Sequence, residues 1–381
     1  MQLKVINNDI KVAIENIEPQ ILAAVTINLN ALAHNYHTVK QELNDDMVLA
    51  AVVKANAYGF GMVPVSRRLY REGCRQFFVA TVDEGINLRK QLPRDIDIFV
   101  LGGLFSGCEK MLLDWNLLPV LNSMHQVKLW TDYSKNTQKK LAAAIHVDTG
   151  MCRNGISLEE VDKYGQDISK TINLQLVISH MACADTLNHY MNELQLQKFK
   201  HVLKVFGNVK GSFSATNGIF LGKEYLFDMV RPGKSLYGFS IREDRVGSLE
   251  PVMDIFARIT QINEINAGDT IGYGATFTAS RSMKTITLGI GYADGFMRKF
   301  SGFGYGFIGG KKVSAVGRIS MDYMVLDATD VDDSFLNEGN WVALTRTPDY
   351  TLEKWALELE TLPHEVACRF GERVKRVYIG E

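Results

Sequence analysis

A lysine stands at the end of a strongly apolar run near the start of the chain. The run MVLAAVV (47–53) is followed at once by Lys54, and Tyr58 comes four residues later in VVKANAYGFG. A lysine amine that is desolvated, or close to other cations, has a lowered pKa and can form a Schiff base with an aldehyde. The chemistry suggested by this position is covalent capture of a carbonyl group.

Later in the chain, polar residues that bind anions or transfer protons also follow apolar runs. Asp148 and Arg153 in HVDTGMCRNG, His180 in VISHMACAD and Thr216 with Asn217 and Gly218 do so. Arg231, Pro232 and Gly233 lie just before the last run, at 235–238. A hydroxyl and glycines near the last two runs suit a phosphate group. The guanidinium of Arg231 is always protonated and can only donate, so a pyridine nitrogen facing it stays unprotonated.

An aldehyde, a phosphate and a pyridine nitrogen occur together in pyridoxal phosphate. With a phosphate-type turn opposite Lys54, pyridoxal phosphate is the natural aldehyde, and Arg231 would then face its pyridine nitrogen. Pyridoxal phosphate stabilises a carbanion as an electron sink, and the protein selects the reaction by what it places around the ring. An unprotonated nitrogen weakens the sink, which favours plain removal and return of a proton.

Short apolar runs separated by stretches long enough for a helix make up the first part of the chain. Their positions are 47–53, 77–80, 98–101, 118–121, 142–147, 174–179, 212–215 and 235–238. Such runs are typical of a parallel sheet covered by helices. Eight units over about 200 residues favour an α/β fold of the (β/α)₈ barrel type over an open doubly wound sheet. In this barrel the polar residues above would meet at the carboxyl ends of the strands.

The pattern changes after about Val246 to alternating apolar and polar residues with turn signals. This alternation predicts a separate, mostly antiparallel β domain with one helix around Glu353 to Leu359. We therefore expect a barrel domain over residues 1–245 and a β domain over residues 246–381. Residues 1 to about 22 precede the first clear element.

The composition excludes several classes of protein. The formal charge of −1, with basic residues spread along the chain, lacks the footprint of a nucleic-acid-binding surface. No signal-peptide core and no membrane-length apolar stretch is evident, so we expect a cytoplasmic protein without membrane contact. Five cysteines without a CxxC pair argue for reduced thiols and against a zinc site or any other bound metal.

Each candidate residue also has an ordinary structural interpretation when it is taken alone. A strand-end lysine is commonly solvated, and His180 would more often be a hydrogen-bonded core histidine than a catalyst. The glycines, including those of SGFGYGFIGG, suit turns. The functional interpretation depends on the convergence of lysine, arginines, histidine and a phosphate-type turn on one predicted face.

The chain resembles the alanine racemase family of fold-type III pyridoxal-phosphate enzymes, from about Ala24 to Tyr378. The motifs that carry the resemblance are VTINLNALAHNY, VVKANAYGFG, VDTGMCRNG, SHMACAD, MVRPGKSLYG, IGYGATF, GYADGF and VGRISMD. The resemblance implies that Lys54 holds the cofactor and acts as the base for the D-isomer, with Tyr273 as the opposing base for the L-isomer. It also implies a homodimer in which Tyr273 completes the partner's active site. The implied substrate is a small amino acid.

Further roles are implied only by this resemblance. Tyr58, Thr216, Gly233 and Lys234 would surround the phosphate. Arg231 would face the pyridine nitrogen with His180 beside it. Arg153 would contact the phenolic oxygen and the substrate carboxylate, and the pocket for that carboxylate would be closed by Met321 and Asp322. The entry corridor would contain Tyr292, Asp185, Arg298 and Arg318.

Three positions depart from the family pattern. His364, in LPHEV, replaces a tyrosine that reaches the phosphate and crowds the substrate side chain, so we expect activity on serine or another small amino acid besides alanine. His146 occupies a position that is a carbamylated lysine in some members, so that modification should be absent. The triplet ATN replaces the common ANS, which makes Thr216 the expected phosphate hydroxyl.

Other functions remain open at this stage. The nearest is a broad-specificity or serine racemase on the same scaffold. Decarboxylases with a similar plan usually set an acidic residue against the pyridine nitrogen, and Arg231 argues against them. A non-catalytic cofactor carrier would lack the β domain with Tyr273, and a barrel for a phosphorylated ligand would form no Schiff base. The D-alanine would serve either peptidoglycan synthesis or alanine catabolism.

Overall fold

A computed structural model describes residues 8–239, 248–345, 347 and 349–380 of the chain. The chain forms two compact units. The barrel unit contains Leu32–Ala57 and Met62–Glu250, and the β unit contains the chain up to Ala31, Tyr58–Gly61 and the chain from Pro251 onward. The boundary expected after residue 245 lies outside the described residues.

Eight parallel strands of the described part of the barrel unit close on themselves. They are Val48–Leu49 with Ala51–Val52, then Gln76–Val79, Asp97–Val100, Leu118–Leu121, Ala142–His146, Asn173–Ile178, Gly211–Ser212 and Met229–Val230. Closure comes from parallel pairing of the last strand with Val48–Leu49 and from a parallel bridge between Ala215 and Arg231. The predicted (β/α)₈ barrel followed by a mostly β region is confirmed.

The eighth strand is not the one expected from the apolar pattern. Residues 235–238 were predicted to be a strand, but Lys234–Tyr237 forms a 3₁₀ helix. The eighth strand is Met229–Val230, which the pattern did not mark because its apolar run has two residues. Tyr237 nevertheless supports the barrel, since its hydroxyl donates to the carbonyl of Val52 at 2.9 Å.

The helices of the barrel unit alternate with its strands. Their bounds are Leu29–Lys40, Met62–Arg71, Val82–Arg89, Glu109–Asp114, Met124–Thr137, Leu158–Thr171, Tyr190–Phe206 and Thr216–Ile219, with a left-handed segment at Lys54–Tyr58 and a further 3₁₀ turn at Lys223–Tyr225. Several of these helices begin after a serine or threonine whose side chain caps the first turn. Thr81, Ser123 and Ser157 each accept a hydrogen bond from a backbone amide in the first turn of the helix that follows.

The β unit is built mainly of antiparallel strands. They are Met253–Ile265, Thr270–Ile271, Phe277–Thr278, Met283–Leu288, Tyr305–Ile308, Lys311–Ser314, Met324–Asp327 and Trp341–Ala343, together with Ala23–Asn28 and Lys375–Ile379. Its helices are Asn8–Glu15, Leu352–Glu358 and Pro363–Cys368, and its 3₁₀ turns are Tyr273–Ala275, Arg298–Phe300 and Asp333–Phe335. The predicted helix around Glu353 is confirmed, and the glycines at 309–310 form a hairpin turn as expected.

The N-terminal segment belongs to the β unit although it precedes the barrel in the sequence. Ala23–Asn28 pairs antiparallel with Met253–Ile265 and parallel with Lys375–Ile379. All but the last of its residues are buried, so it is a central strand with an apolar run rather than an alternating one. In the part of the chain that the structure describes, no helix is long and apolar enough to cross a membrane.

Candidate active site

Lys54 begins a left-handed turn at the carboxyl end of the first barrel strand. Ala55, Asn56, Ala57 and Tyr58 have φ values of +53°, +52°, +54° and +56°. A non-glycine residue costs about 1 kcal/mol or more in this region, so the four together store at least about 4 kcal/mol of backbone strain. Such strain persists only where the surrounding structure holds it, and it clusters at functional sites.

Local hydrogen bonds on both sides hold this turn. The Ala57 amide donates to the carbonyl of Val53 at 2.9 Å. The side-chain oxygen of Asn56 accepts from the Met62 amide at 2.8 Å, which fixes the start of the following helix. Lys54 itself is half-buried, and its charge acts on His180.

Arg231 is a buried cation at the same end of the barrel. The residue is 4% exposed, and its guanidinium donates to the Ser212 carbonyl and hydroxyl at 2.6 Å and to the Ser179 carbonyl at 2.7 Å. Burial lowers the pKa of Arg231 to about 10, so it stays charged at neutral pH. The strand ends at Ser179 and Ser212 thus fix a donor-only group in place.

His180 is uncharged at neutral pH. Its pKa is lowered to about 3, first by burial and then by the positive charges of Arg231 and Arg153, with smaller contributions from His146 and Lys54. The electrostatic coupling joins the lysine, both arginines and the histidine predicted from sequence. The structure therefore brings these four side chains into one cluster, as the barrel model required.

His146 lies in the same cluster and is held in one tautomer. The Nδ2 of Asn122 donates to the carbonyls of Leu101 and Val120, so its Oδ1 is left to face His146 Nδ1 at 2.9 Å. That oxygen can only accept, so Nδ1 carries the proton. Burial, followed by the charge of Arg231, lowers the pKa of His146 to about 4, which keeps the ring neutral.

Thr216 lies in a small cluster of hydroxyl and amide donors near the last two strands. The residue is 4% exposed, and its Oγ1 accepts from the Gly233 amide at 3.2 Å and the Ser235 amide at 3.4 Å. The Ser235 hydroxyl lies 3.2 Å from the same oxygen. Lys234, between the two amides, is half-buried. Thr216, Gly233 and Lys234 are thus brought together, as expected of a phosphate-binding turn.

Arg153 projects from a loop that Asp148 shapes. One carboxylate oxygen of Asp148 accepts from the amides of Gly150, Met151 and Cys152 at 2.8, 2.9 and 3.1 Å. This reverses the chain just before Arg153, which is exposed. Asp148 is therefore an organiser of the loop, and the arginine after it remains accessible to a ligand.

Tyr58 and His364 meet within the β unit. Their ring centroids are 6.1 Å apart in an edge-on arrangement. Burial raises the pKa of the Tyr58 phenol, so the hydroxyl is neutral. Gly59 and Gly61 fix the backbone beside them: a Cβ on Gly59 would lie 2.3 Å from the Ala367 carbonyl oxygen. The segment that carries Tyr58 is thus packed against the helix that carries His364.

Tyr273 is prominently exposed in the β unit. The residue is 72% exposed and sits in a 3₁₀ turn between Gly272 and Gly274, whose φ values are +76° and +74°. Arg318 packs behind this turn, since a Cβ on Gly274 would lie 2.9 Å from its Nη1. The turn therefore presents a large aromatic phenol to its surroundings.

Met321 and Asp322 occupy a loop that is tied to the interior of the β unit. Met321 is 52% exposed, and its carbonyl accepts from the Ala293 amide at 3.0 Å. Arg373 bridges Asp322 at 2.9 Å and the buried Asp294 at 3.0 Å. The four residues predicted for the entry corridor, Tyr292, Asp185, Arg298 and Arg318, are all exposed.

Several organising residues were not identified from sequence. Asn122 selects the tautomer of His146, and Gln195, which is fully buried, bonds the His180 carbonyl at 3.0 Å and the Thr149 hydroxyl at 3.1 Å. The sequence gives little signal for either: Asn122 directly follows the apolar run 118–121, and Gln195 lies between Leu194 and Leu196. Among the residues that the structure describes, no group of His, Cys, Asp and Glu side chains is arranged to hold a metal ion.

Comparisons with known proteins cover nearly the whole chain. The family model "Alanine racemase, N-terminal domain" matches residues 27–241, and "Alanine racemase, C-terminal domain" matches residues 252–378. The chain is 40% identical to alanine racemase of Rickettsia akari over 94% of this chain and 99% of that protein. It is 36% identical to alanine racemase of Brucella abortus over 93% of each.

Solved structures give the same result. An alanine racemase from Bartonella henselae with covalently bound pyridoxal phosphate matches with a TM-score of 0.89 and 37% identity, covering 94% of this chain and 99% of that one. The biosynthetic alanine racemase of Pseudomonas aeruginosa matches with a TM-score of 0.84 and 28% identity, covering 95% and 100%. Both family models match in the expected order, and the sequence and fold agree with those of known members along nearly the whole chain. The chain therefore belongs to the alanine racemase family.

Proposed function

We propose that this chain interconverts L-alanine and D-alanine with pyridoxal phosphate as its cofactor. The observation that carries the proposal is the buried guanidinium of Arg231 in one electrostatic cluster with Lys54. With the cofactor held by Lys54, a donor-only cation at the pyridine nitrogen would leave that nitrogen unprotonated, which favours proton removal and return over decarboxylation. The similarity to alanine racemases along 94% of the chain supports the same activity.

The side chains present fit this cofactor in three respects. Lys54 supplies a primary amine in the same electrostatic cluster as Arg231 and Arg153. Arg231 supplies a fixed donor for a ring nitrogen, with the neutral imidazole of His180 nearby. For a phosphate, Thr216 supplies a hydroxyl and Lys234 a backbone amide, next to the Gly233 amide that donates to Thr216. From the family resemblance we assign Tyr58 and His364 to the same group. The donor set thus matches an aldehyde, a pyridine and a phosphate.

When bound, pyridoxal phosphate withdraws electrons from the α-carbon of an attached amino acid and so makes its proton acidic. Racemisation then needs two bases, one to remove the proton and one to return it on the opposite face. We assign the base for the D-isomer to Lys54 and the base for the L-isomer to Tyr273. Arg153 and the loop of Met321 and Asp322 would hold the substrate carboxylate.

Tyr273 is assigned to the active site of a second copy of the chain. Its 72% exposure leaves the phenol accessible to a partner, and Met321 in the same unit is 52% exposed. A closed two-fold homodimer would then contain two composite sites, each with Lys54 from one subunit and Tyr273 from the other. We place this dimer in the cytoplasm, where its D-alanine would serve peptidoglycan synthesis or its racemisation would serve alanine catabolism.

One experiment tests the activity and the role of Lys54 together. Purified protein is loaded with pyridoxal phosphate, and optical rotation is followed with L-alanine, D-alanine and a panel of other amino acids. We expect loss of rotation with alanine and an absorbance band of bound cofactor that disappears in Lys54→Ala. A protein that binds the cofactor in the same way after Lys54→Ala would refute the assignment of the lysine.

A subunit-mixing experiment tests the shared site. Lys54→Ala and Tyr273→Phe proteins are each expected to be nearly inactive, with the Tyr273→Phe protein keeping its cofactor band. After the two are unfolded and refolded together in equal amounts, half of the dimers are mixed and each has one intact site, so about a quarter of the natural activity should return. No recovery, although an affinity tag on the Lys54→Ala subunit also captures Tyr273→Phe subunits, would show that both bases come from one subunit.

A second candidate function is a racemase of broader specificity on the same scaffold. The specific observation is His364, whose imidazole packs edge-on against Tyr58 where family members carry a tyrosine. A shorter ring at this position would leave more room beside the substrate side chain. The amino-acid panel distinguishes the two candidates, because serine would then be racemised at a rate comparable with alanine.

A further inference from the structure

Two helices of the barrel unit begin with the same sequence pattern. Thr81 is followed three residues later by Glu84, and Ser157 is followed three residues later by Glu160. This pattern predicts a capping box, in which the glutamate bonds back to the backbone amide of the capping residue. Glu160 does so, since its Oε2 accepts from the Ser157 amide at 2.8 Å. The carboxylate of Glu84 has different partners.

Glu84 accepts two short hydrogen bonds from the ends of two different strands. Its Oε1 accepts from the Ala55 amide and its Oε2 from the Ala80 amide, each at 2.7 Å. Ala55 directly follows Lys54, and Ala80 directly follows the second barrel strand. Hydrogen bonds to an ionised carboxylate are roughly twice as strong as neutral ones. One side chain therefore ties the lysine-bearing turn to the neighbouring strand.

The carboxylate occupies the place where the parallel ladder would continue. The last bond of the ladder runs from the Val53 amide to the Phe78 carbonyl at 2.9 Å. Ala80 and Ala55 carry the next amides in the alternating pattern. In a continued ladder the Ala80 amide would donate to the Val53 carbonyl. That carbonyl instead accepts from the Ala57 amide inside the left-handed turn. Glu84 thus allows the first strand to leave the ladder directly after Val53.

We propose that Glu84 is a positioning residue that fixes the direction in which Lys54 leaves the barrel. The inference rests on the proposed function, because it takes Lys54 as the residue that holds the cofactor. Without the carboxylate, both amides lose their acceptors and the strained turn can relax toward ordinary backbone conformations. The Cα–Cβ direction of Lys54 then changes, and a displacement of about 1 Å at a reacting group lowers a rate by about 100-fold.

The matched pair Glu84→Gln and Glu160→Gln separates this role from simple helix capping. Both substitutions are the same size and lie at the same position of a helix first turn. At Glu84 the glutamine keeps one acceptor but directs its NH₂ group at an amide donor. Two experiments are done on each protein. The first measures hydrogen exchange of the peptide that contains Ala55, with and without added pyridoxal phosphate. The second measures kcat and KM for alanine.

We expect Glu84→Gln to speed exchange at Ala55 by at least about tenfold. We expect it to lower kcat about 10- to 100-fold, with a smaller change in KM. Glu160→Gln should leave the exchange rate at Ala55 and the kinetic constants as they are in the natural protein. Where Glu84→Gln does not fold, Glu84→Asp replaces it, because the shorter carboxylate cannot reach both amides, and the same directions are expected.

The proposal is overturned if Glu84→Gln leaves exchange at Ala55 unchanged, or if it lowers kcat no more than Glu160→Gln does. Failure of the proposed function is recognised separately, because the natural protein would then show neither a cofactor band nor racemisation. The exchange measurement without cofactor reports on the turn in either case.

Discussion

Lowering the pH should destabilise the barrel unit through two histidines that are held neutral, the buried His146 and the half-buried His180. The pKa of His146 is lowered to about 4 and that of His180 to about 3, in both cases mainly by burial. In the unfolded chain each ring has the ordinary pKa of about 6.5. As the pH falls below that value the unfolded chain takes up protons that the folded protein does not, so stability is lost with falling pH.

The magnitude follows from the size of the pH step. One pKa unit corresponds to about 1.4 kcal/mol, and pH 5 lies about 1.5 units below the ordinary histidine value. Each histidine therefore contributes a loss of about 2 kcal/mol between pH 7.5 and pH 5, and the two together about 4 kcal/mol. The loss ends for each ring once the pH passes below its folded pKa.

The assay compares urea unfolding at pH 7.5 and pH 5.0 for the natural protein, His146→Asn and the control His201→Asn. His201 is an exposed histidine paired with Asp162, so its replacement tests the loss of a surface ring. The stability lost between the two pH values should be about 2 kcal/mol smaller in His146→Asn than in the natural protein, and within about 0.5 kcal/mol of it in the control. An equal loss in His146→Asn and the natural protein would refute the buried neutral assignment.

Three further predictions follow from the β unit. His364→Tyr should lower the ratio of kcat/KM for serine to that for alanine about tenfold; equal ratios in the two proteins would argue against a role of His364 in specificity. Gly61→Ala should lower the free energy of unfolding by about 2–4 kcal/mol, because Gly61 has φ +96° and a Cβ there would lie 1.9 Å from the hydroxyl oxygen of Tyr378. The control Gly73→Ala, at φ +98° with nothing within 4 Å, should cost only about 1 kcal/mol. Arg373→Gln releases Asp322 from its bridge, so steady-state kinetics should show a larger rise in KM for alanine than fall in kcat.

Much of the barrel could be predicted because its strands are buried on both faces. Seven of the eight apolar runs overlap strands. Lys54 and His180 directly follow two of these runs and Arg153 lies in the loop after a third, whereas Arg231 follows the strand that was missed. The eighth strand was missed because Met229–Val230 is too short to produce a run of its own. Its place in the barrel is set by pairing with Val48–Leu49, a contact between residues far apart in the sequence.

The roles of single polar residues could be predicted less well. Glu84 and Glu160 have the same local pattern, yet only Glu160 closes a capping box. The difference arises because the Ala55 amide lies beside Glu84 after the strands have paired, and a charged acceptor bonds whichever donors are near. The charge state of His146 likewise depends on burial and on arginines that come from other parts of the chain.

The sequence by itself determined the order of apolar runs and turns, the division into an α/β barrel and a β-rich region, and the residue types at the strand ends. These features follow from periodicity and composition, which are local properties of the chain. Only the tertiary structure decided the left-handed turn after Lys54, the neutrality of His146 and His180, and the joining of Ala23–Asn28 to strands from the other end of the chain. Each of these depends on partners distant in sequence, because strain, desolvation and strand pairing are set by what packs around a residue rather than by its neighbours along the chain.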